Sequence, residues 1–197
     1  MSDLSAFVLA GGRSARMGAD KAFLQLDGRT LLQRALELAE TVSGDVRVVG
    51  AKEKFAAFAP VVGDLYEGRG PLGGIHAALS ATRSEFNLML AVDLPFLEKR
   101  FLAWLAEQAQ AENAVVTVPR AAGGLQPLCA VYRREFRELA ERALASGRNK
   151  IDTLFRETTV RIIEEDELAR FAFPAAMFDN LNTPQEWEQA GRRRLEK

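Results

Sequence analysis

Short runs of consecutive apolar residues alternate along this chain with longer stretches in which apolar positions recur at helical spacing. The runs at 6–10, 46–49, 61–63, 87–92, 114–118 and 128–132 are continuous rather than alternating in hydrophobicity. Strands of a parallel sheet covered on both faces should look like this. The clearest helical pattern follows Thr30, where Leu31, Leu32, Ala35, Leu36, Ala39 and Val42 share one face and Thr30 with Gln33 forms a capping box. Further helices are expected from near Pro71, from near Leu97 and from Arg133 to about Ser146. A late strand is expected at 177–179, and Thr183-Pro184-Gln185-Glu186 reads as the cap and first turn of a closing helix. The alternation predicts an α/β fold with an open, mostly parallel sheet and helices on both faces. A chain of 197 residues, 48% hydrophobic, is expected to form one domain spanning 1–197.

The first run feeds into Gly11-Gly12-Arg13-Ser14-Ala15-Arg16-Met17-Gly18-Ala19-Asp20-Lys21. Glycines here let a ligand approach the main chain, so that successive N–H groups can converge on one anion. Arg13, Arg16 and Lys21 surround that nest with positive charge, which suits a phosphate chain. The loop is not a P-loop, since no lysine and hydroxyl residue follow Gly18 directly. Nor is it a dinucleotide fingerprint, because its first glycines are adjacent and the second strand ends in Val49-Gly50 without an acid. With the next helix starting only after Thr30, the stretch 11–29 is long enough to act as a flap over a ligand.

Asp93 stands at the carboxyl end of the run 87–92, and ligands of open α/β sheets bind outside those strand ends. Pro95 stops the strand and restricts Leu94 to extended conformations, which fixes the direction of the Asp93 carboxylate. A single carboxylate suffices for Mg²⁺ when phosphate oxygens and water complete its shell, whereas the bland reading makes Asp93 a turn residue. Lys21 is expected on a phosphate chain, as a preorganised cation of the kind that offsets developing negative charge. Asp64 ends the run 61–63 on the same rim, and Gly70-Pro71-Leu72-Gly73-Gly74 is a second close-approach loop opening a helix. Gln126, Asn180, Asn182 and Thr183 offer neutral donors and acceptors that could read a ligand edge, or serve strand ends and helix caps.

The net charge of −1 and pI near 6.0 give no global attraction to nucleic acid or an anionic membrane. One cysteine, Cys129, and one histidine, His76, exclude an internal disulfide and a zinc site of His and Cys ligands, so any metal must rely on oxygen ligands. Cys129 lies in an apolar run and reads as a buried strand residue. His76 falls near a helix start with no acid or nucleophile motif beside it. No stretch approaches the roughly 20 apolar residues of a membrane span, and residues 1–10 lack the pattern of a signal peptide, so a cytoplasmic protein is expected.

The pattern L-A-G-G-x-S-x-R-M-G-x-D-K from Leu9 to Lys21 resembles the signature loop of the molybdenum cofactor guanylyltransferases. These sit within the nucleotidyltransferases of Rossmann-like, nucleotide-diphospho-sugar-transferase-like fold. The segments at 70–75, 92–96, 126–132 and 180–184 resemble the family's later blocks, in the same order. The resemblance implies transfer of GMP from GTP to the terminal phosphate of molybdopterin, the molybdenum-bound pterin, with Mg²⁺ as cofactor and pyrophosphate as leaving group. It implies that Leu9, Ala10, Gly11, Gly12, Lys21, Asp64, Gly73 and Asp93 bind GTP. Lys21, Asp93 and Arg16 would then be catalytic, with Asp93 on the metal, and Gln126, Asn180 and Asn182 would face the acceptor. The product would pass to a molybdoenzyme or its chaperone. Two other readings stay open: a cytidylyltransferase using CTP, and a delivery module that binds GTP without turnover.

Overall fold

All six apolar runs become strands. A computed structural model of the chain describes residues 3–11, 20–66 and 68–180. Its strands are β1 (Leu4–Leu9), β2 (Gln25–Leu26), β3 (Arg29–Thr30), β4 (Asp45–Val49), β5 (Val61–Val62), β6 (Phe86–Ala91), β7 (Val116–Ala121), β8 (Gly124–Leu125), β9 (Cys129–Arg133) and β10 (Val160–Ile163). Its α-helices are α1 (Leu31–Glu40), α2 (Lys52–Phe55), α3 (Pro71–Ala81), α4 (Lys99–Ala111), α5 (Phe136–Ala145), α6 (Ile151–Leu154) and α7 (Glu165–Arg170). The main sheet runs β10-β7-β9-β6-β1-β4-β5, with β8 paired to β7.

Successive side chains of the central strands enter two separate cores. Ala6, Val8, Leu88 and Leu90 pack beneath α1 and α4, whereas Phe7 and Met89 pack beneath α3 and α5. Both faces are therefore covered, which is why these strands read as continuous apolar runs. Cys129 is fully buried in the first core, as a strand residue should be, and burial pushes its thiol pKa well up. The capping box at α1 is present: Gln33 N–H donates to Thr30 Oγ1 at 3.1 Å, and Thr30 N–H to Gln33 Oε1 at 2.9 Å.

The sheet is mostly parallel, as expected: β1, β4, β5 and β6 are mutually parallel, and β9 runs antiparallel to both β6 and β7, which makes it mixed. One expectation needs correction. The expected strand at 177–179 is instead a 3-10 turn over Ala175–Phe178, started by Pro174 and held by Met177 N–H on the Pro174 carbonyl at 3.0 Å. Met177 and Phe178 of this turn are buried, and Phe178 packs edge-on against Phe101 of α4, 5.3 Å between ring centres. Of the stretch expected as a flap, residues 12–19 lie outside the described residues; beyond them a 3-10 turn occupies Lys21–Phe23, and β2 and β3 form a hairpin. That hairpin turns at Asp27-Gly28, both with positive φ, the signature of a two-residue primed turn. Among the described residues no helix is long and apolar enough to cross a membrane.

Candidate active site

Strand register builds the site. Leu9 of β1 lies opposite Val49 of β4 on one side and Ala91 of β6 on the other, so three parallel strands end in one row. From β1 the chain winds through α1 to β4 and β5, then returns through α3, on the opposite face, to β6 on the far side of β1. Such a reversal opens a crevice at the carboxyl ends of the strands. A cavity of about 730 Å³ lies there, lined by Leu9, Ala10 and Gly11 from β1, Gly50 after β4, Asp64 after β5 and Asp93 after β6. The N–H groups of Ala10 and Gly11 both donate to the Val49 carbonyl, at 3.1 and 3.2 Å, so they are committed to the sheet. The rest of the expected anion nest, Gly12 to Ala19, lies outside the described residues, and Arg16 with it.

Lys21 and Asp93, 72 positions apart, meet at the cavity wall. The Lys21 Nζ donates to Asp93 Oδ2 at 3.3 Å, with side chains 17% and 25% exposed. Lys21 is delivered by the 3-10 turn, whose N-cap Asp20 accepts from Ala22 N–H at 3.2 Å. Asp93 lies in the turn just past the end of β6 and is anchored by its neighbour Leu94, which, restricted by Pro95, buries its side chain beneath α1 and α4. The carboxylate lines the cavity, so it is placed to ligate a divalent cation once the Lys21 ammonium moves off it. Among the described residues no three His, Cys, Asp or Glu side chains gather to hold a metal alone. One carboxylate completed by phosphate oxygens and water is the arrangement Mg²⁺ commonly takes.

The opposite wall is the start of α3. Gly68 and Gly70 have φ of 74° and 68°, a left-handed pair that turns the chain into Pro71 at the first helical position. Gly70, Pro71 and Gly74 line the cavity; Gly73 lies behind it. A Cβ at Gly73 would sit 3.0 and 3.1 Å from the Asp64 carboxylate oxygens and 3.1 Å from the Tyr66 carbonyl. Asp64 thus needs glycine there to fold back against the helix, where its Oδ1 also accepts from Tyr66 N–H at 2.9 Å. On the expectation from the resemblance that Asp64 binds the nucleotide, Gly73→Ala should displace it and weaken GTP binding about tenfold while leaving the chain folded. Titration of the variant with GTP and Mg²⁺ checks this, and unchanged affinity would remove Asp64 from the nucleotide site.

Other candidates fall elsewhere. Gln126 spends its side chain on the Ala121 carbonyl at 2.9 Å, closing the β8 hairpin, and Asn180 is exposed beyond the 3-10 turn. Neither lines the cavity, although Leu128 does; Asn182 lies outside the described residues. His76 lies in α3, whose start was expected near Pro71; it is 3% exposed, edge-on to Tyr66 and 3.5 Å from Ser80 Oγ. Burial lowers its pKa from the ordinary 6.5, opposed by Glu141 and Asp64 and aided by Arg137. Below pH 6.5 the unfolded chain takes up this proton before the folded one does, so stability should fall with pH there. His76→Gln should flatten that slope in urea melts between pH 7 and 5, and an unchanged slope would assign it to other groups. Gly50 is a cavity residue whose placement needs the fold: it is recognisable only through what the neighbouring strands bring beside it.

A family model described as the MobA-like NTP transferase domain matches residues 6–162. The chain is 35% identical to a molybdenum cofactor guanylyltransferase of Desulfosudis oleivorans, over 96% of this chain and 95% of that one. It is 33% identical to a probable molybdenum cofactor guanylyltransferase of Pelotomaculum thermopropionicum, over 96% and 93%. Among solved structures, molybdopterin-guanine dinucleotide biosynthesis protein A from Archaeoglobus fulgidus superposes with a TM-score of 0.84 at 27% identity, covering 98% of this chain and 100% of that one.

Proposed function

Since the chain belongs to the MobA-like NTP transferase family, we propose that its cavity binds GTP and delivers GMP to the terminal phosphate of molybdopterin. The activity is that of a molybdenum cofactor guanylyltransferase, a nucleotidyltransferase that forms molybdopterin guanine dinucleotide. One observation carries the assignment of the site: a lysine and an aspartate from distant segments meet in a cleft where three parallel strands end. Such a cleft takes a phosphorylated ligand in open α/β folds.

A phosphate oxygen of the acceptor attacks the α-phosphorus of GTP in line, its bond to phosphorus forms, and the bond to the bridging oxygen of pyrophosphate breaks. The chain contributes position and charge. Lys21 exchanges its contact with Asp93 for the triphosphate, and its ammonium opposes the charge that grows on the leaving pyrophosphate. Arg16 adds a second cation and Gly12 a backbone donor in this reading. Asp93 would hold Mg²⁺, which would supply positive charge against the phosphates. Asp64 faces the base or ribose, with Gly73 setting its position. Gln126, Asn180 and Asn182 are assigned to the acceptor by the family pattern alone. The reaction belongs in the cytoplasm, where nucleoside triphosphates are supplied, and its product would pass to a molybdoenzyme or its chaperone.

Pyrophosphate release measured with GTP, CTP, ATP and UTP in turn, with molybdenum-loaded molybdopterin as acceptor, tests this reading. Release with GTP well above the other three supports it. Preference for CTP would make the protein a cytidylyltransferase, and binding of GTP without release would make it a delivery module.

A further inference from the structure

Lys21 can act only if its turn is held against Asp93, and the residues that hold it come from a part of the chain with no assigned role. The turn Lys21–Phe23 is gripped at two points by the segment that follows β4. The first grip is aromatic. Phe23 stacks on Phe55 of α2, with ring centres 5.8 Å apart and planes 27° apart, and Phe58 closes on it at 5.8 Å. Phe55 is 1% exposed and reaches this position by passing over Gly50, where a Cβ would lie 2.7 Å from its ring. The second grip is ionic. Lys54 Nζ lies 3.0 Å from Asp20 Oδ2, while the other oxygen of that carboxylate caps the turn at Ala22 N–H.

Asp20 carries a cost that Lys54 offsets. It is a carboxylate on the wall of the cavity meant for a triphosphate, and it is the chain neighbour of the lysine that must reach that triphosphate. Left uncompensated, it would repel the nucleotide's phosphates and compete with them for the Lys21 ammonium. The Lys54 ammonium occupies the carboxylate from the far side, keeping the cap while cancelling its charge. We propose that Lys54 is a positioning residue for the transfer: through Asp20 it holds the Lys21 turn in place and lets the cavity accept GTP. The inference rests on the reading of Lys21 and Asp93 given above.

The test is a cycle of kcat and KM for Mg·GTP in wild type, Lys54→Gln, Asp20→Asn and the double variant. Asparagine caps a turn as well as aspartate does, so Asp20→Asn removes the charge and keeps the cap. With Lys54 half exposed, Lys54→Gln should lower kcat/KM about fivefold, mostly through KM, in line with the upper range for exposed ion pairs. In the Asp20→Asn background the same change should cost less than about twofold, because the charge it answers is gone. Lys54→Arg should keep kcat/KM within about twofold of wild type, since the charge persists. Equal losses from Lys54→Gln in both backgrounds would mean that lysine only packs α2, and no loss in either would mean that it does nothing for the site; both overturn the proposal. Failure of wild type to turn over GTP would instead overturn the underlying functional reading, which the wild-type arm reports separately.

Discussion

Asp93→Asn should reduce Mg²⁺-dependent GMP transfer by on the order of 10² or more while the protein stays folded. The substitution keeps one neutral oxygen where the wild type offers an anionic one, so the position loses the charge that a divalent cation needs. It should cost little stability. The carboxylate is 25% exposed, its recorded partner is the Lys21 ammonium at 3.3 Å, and partly exposed pairs of this kind contribute about 1 kcal/mol or less. Turnover is to be measured across a Mg²⁺ titration, beside a urea melt that verifies the fold. A folded variant with near-normal turnover would remove Asp93 from the metal site.

Lys21→Ala is expected to be the second large effect, and to differ from the first in its signature. Loss of a charge-assisted contact to phosphate costs roughly 1.5–3 kcal/mol, which corresponds to a rise of about 10- to 100-fold in the GTP dissociation constant. Transfer should fall further, because the same ammonium faces charge that develops only as pyrophosphate leaves. Arg170→Ala is the control: that arginine is exposed on α7 and pairs with Asp166 one turn away. It should change neither binding nor turnover. Equal behaviour of the two variants would show that the cavity wall at Lys21 does not receive the phosphates.

The parts of the fold that were legible in the sequence are those whose cause is local. Strands buried on both faces have no polar side to show, so 6–10 and, after Asn87, the rest of 87–92 stood out as apolar runs and became β1 and β6. The cap of α1 was legible because Thr30 and Gln33 satisfy each other three residues apart. Strand direction was not, since an apolar run pairs as readily antiparallel as parallel. The reversal of β9 follows from the tight turn at Ala122-Gly123, both at positive φ, which folds β8 back onto β7 ahead of it. β10 went unseen because Arg161 interrupts its apolar residues; at the sheet edge that arginine reaches Glu112 and Glu167.

The candidate site divides along the same line. Lys21 and Asp93 were legible because each stands at a segment end where chemistry is expected, after a glycine-rich loop and after a strand. Gly73 could be assigned to the nucleotide only by resemblance, and its physical task, making room for the Asp64 carboxylate, depends on α3 folding against the end of β5. The grip of Lys54 on Asp20 spans 34 positions and joins two ordinary surface charges, which no spacing rule would pair.

The central claim is that GTP lies where β1, β4 and β6 end, its phosphates between Lys21 and a metal on Asp93. A crystal structure of the protein with Mn²⁺ and a non-hydrolysable GTP analogue tests this most directly, because manganese marks its own position by anomalous scattering. The expected result is a manganese peak at coordinating distance from the Asp93 carboxylate and from the phosphate oxygens, with Lys21 moved onto the triphosphate. The contrary result would be nucleotide in the separate cavity of about 390 Å³ beside Arg29, Arg34 and Lys99, with the Lys21–Asp93 pair intact and no manganese beside it.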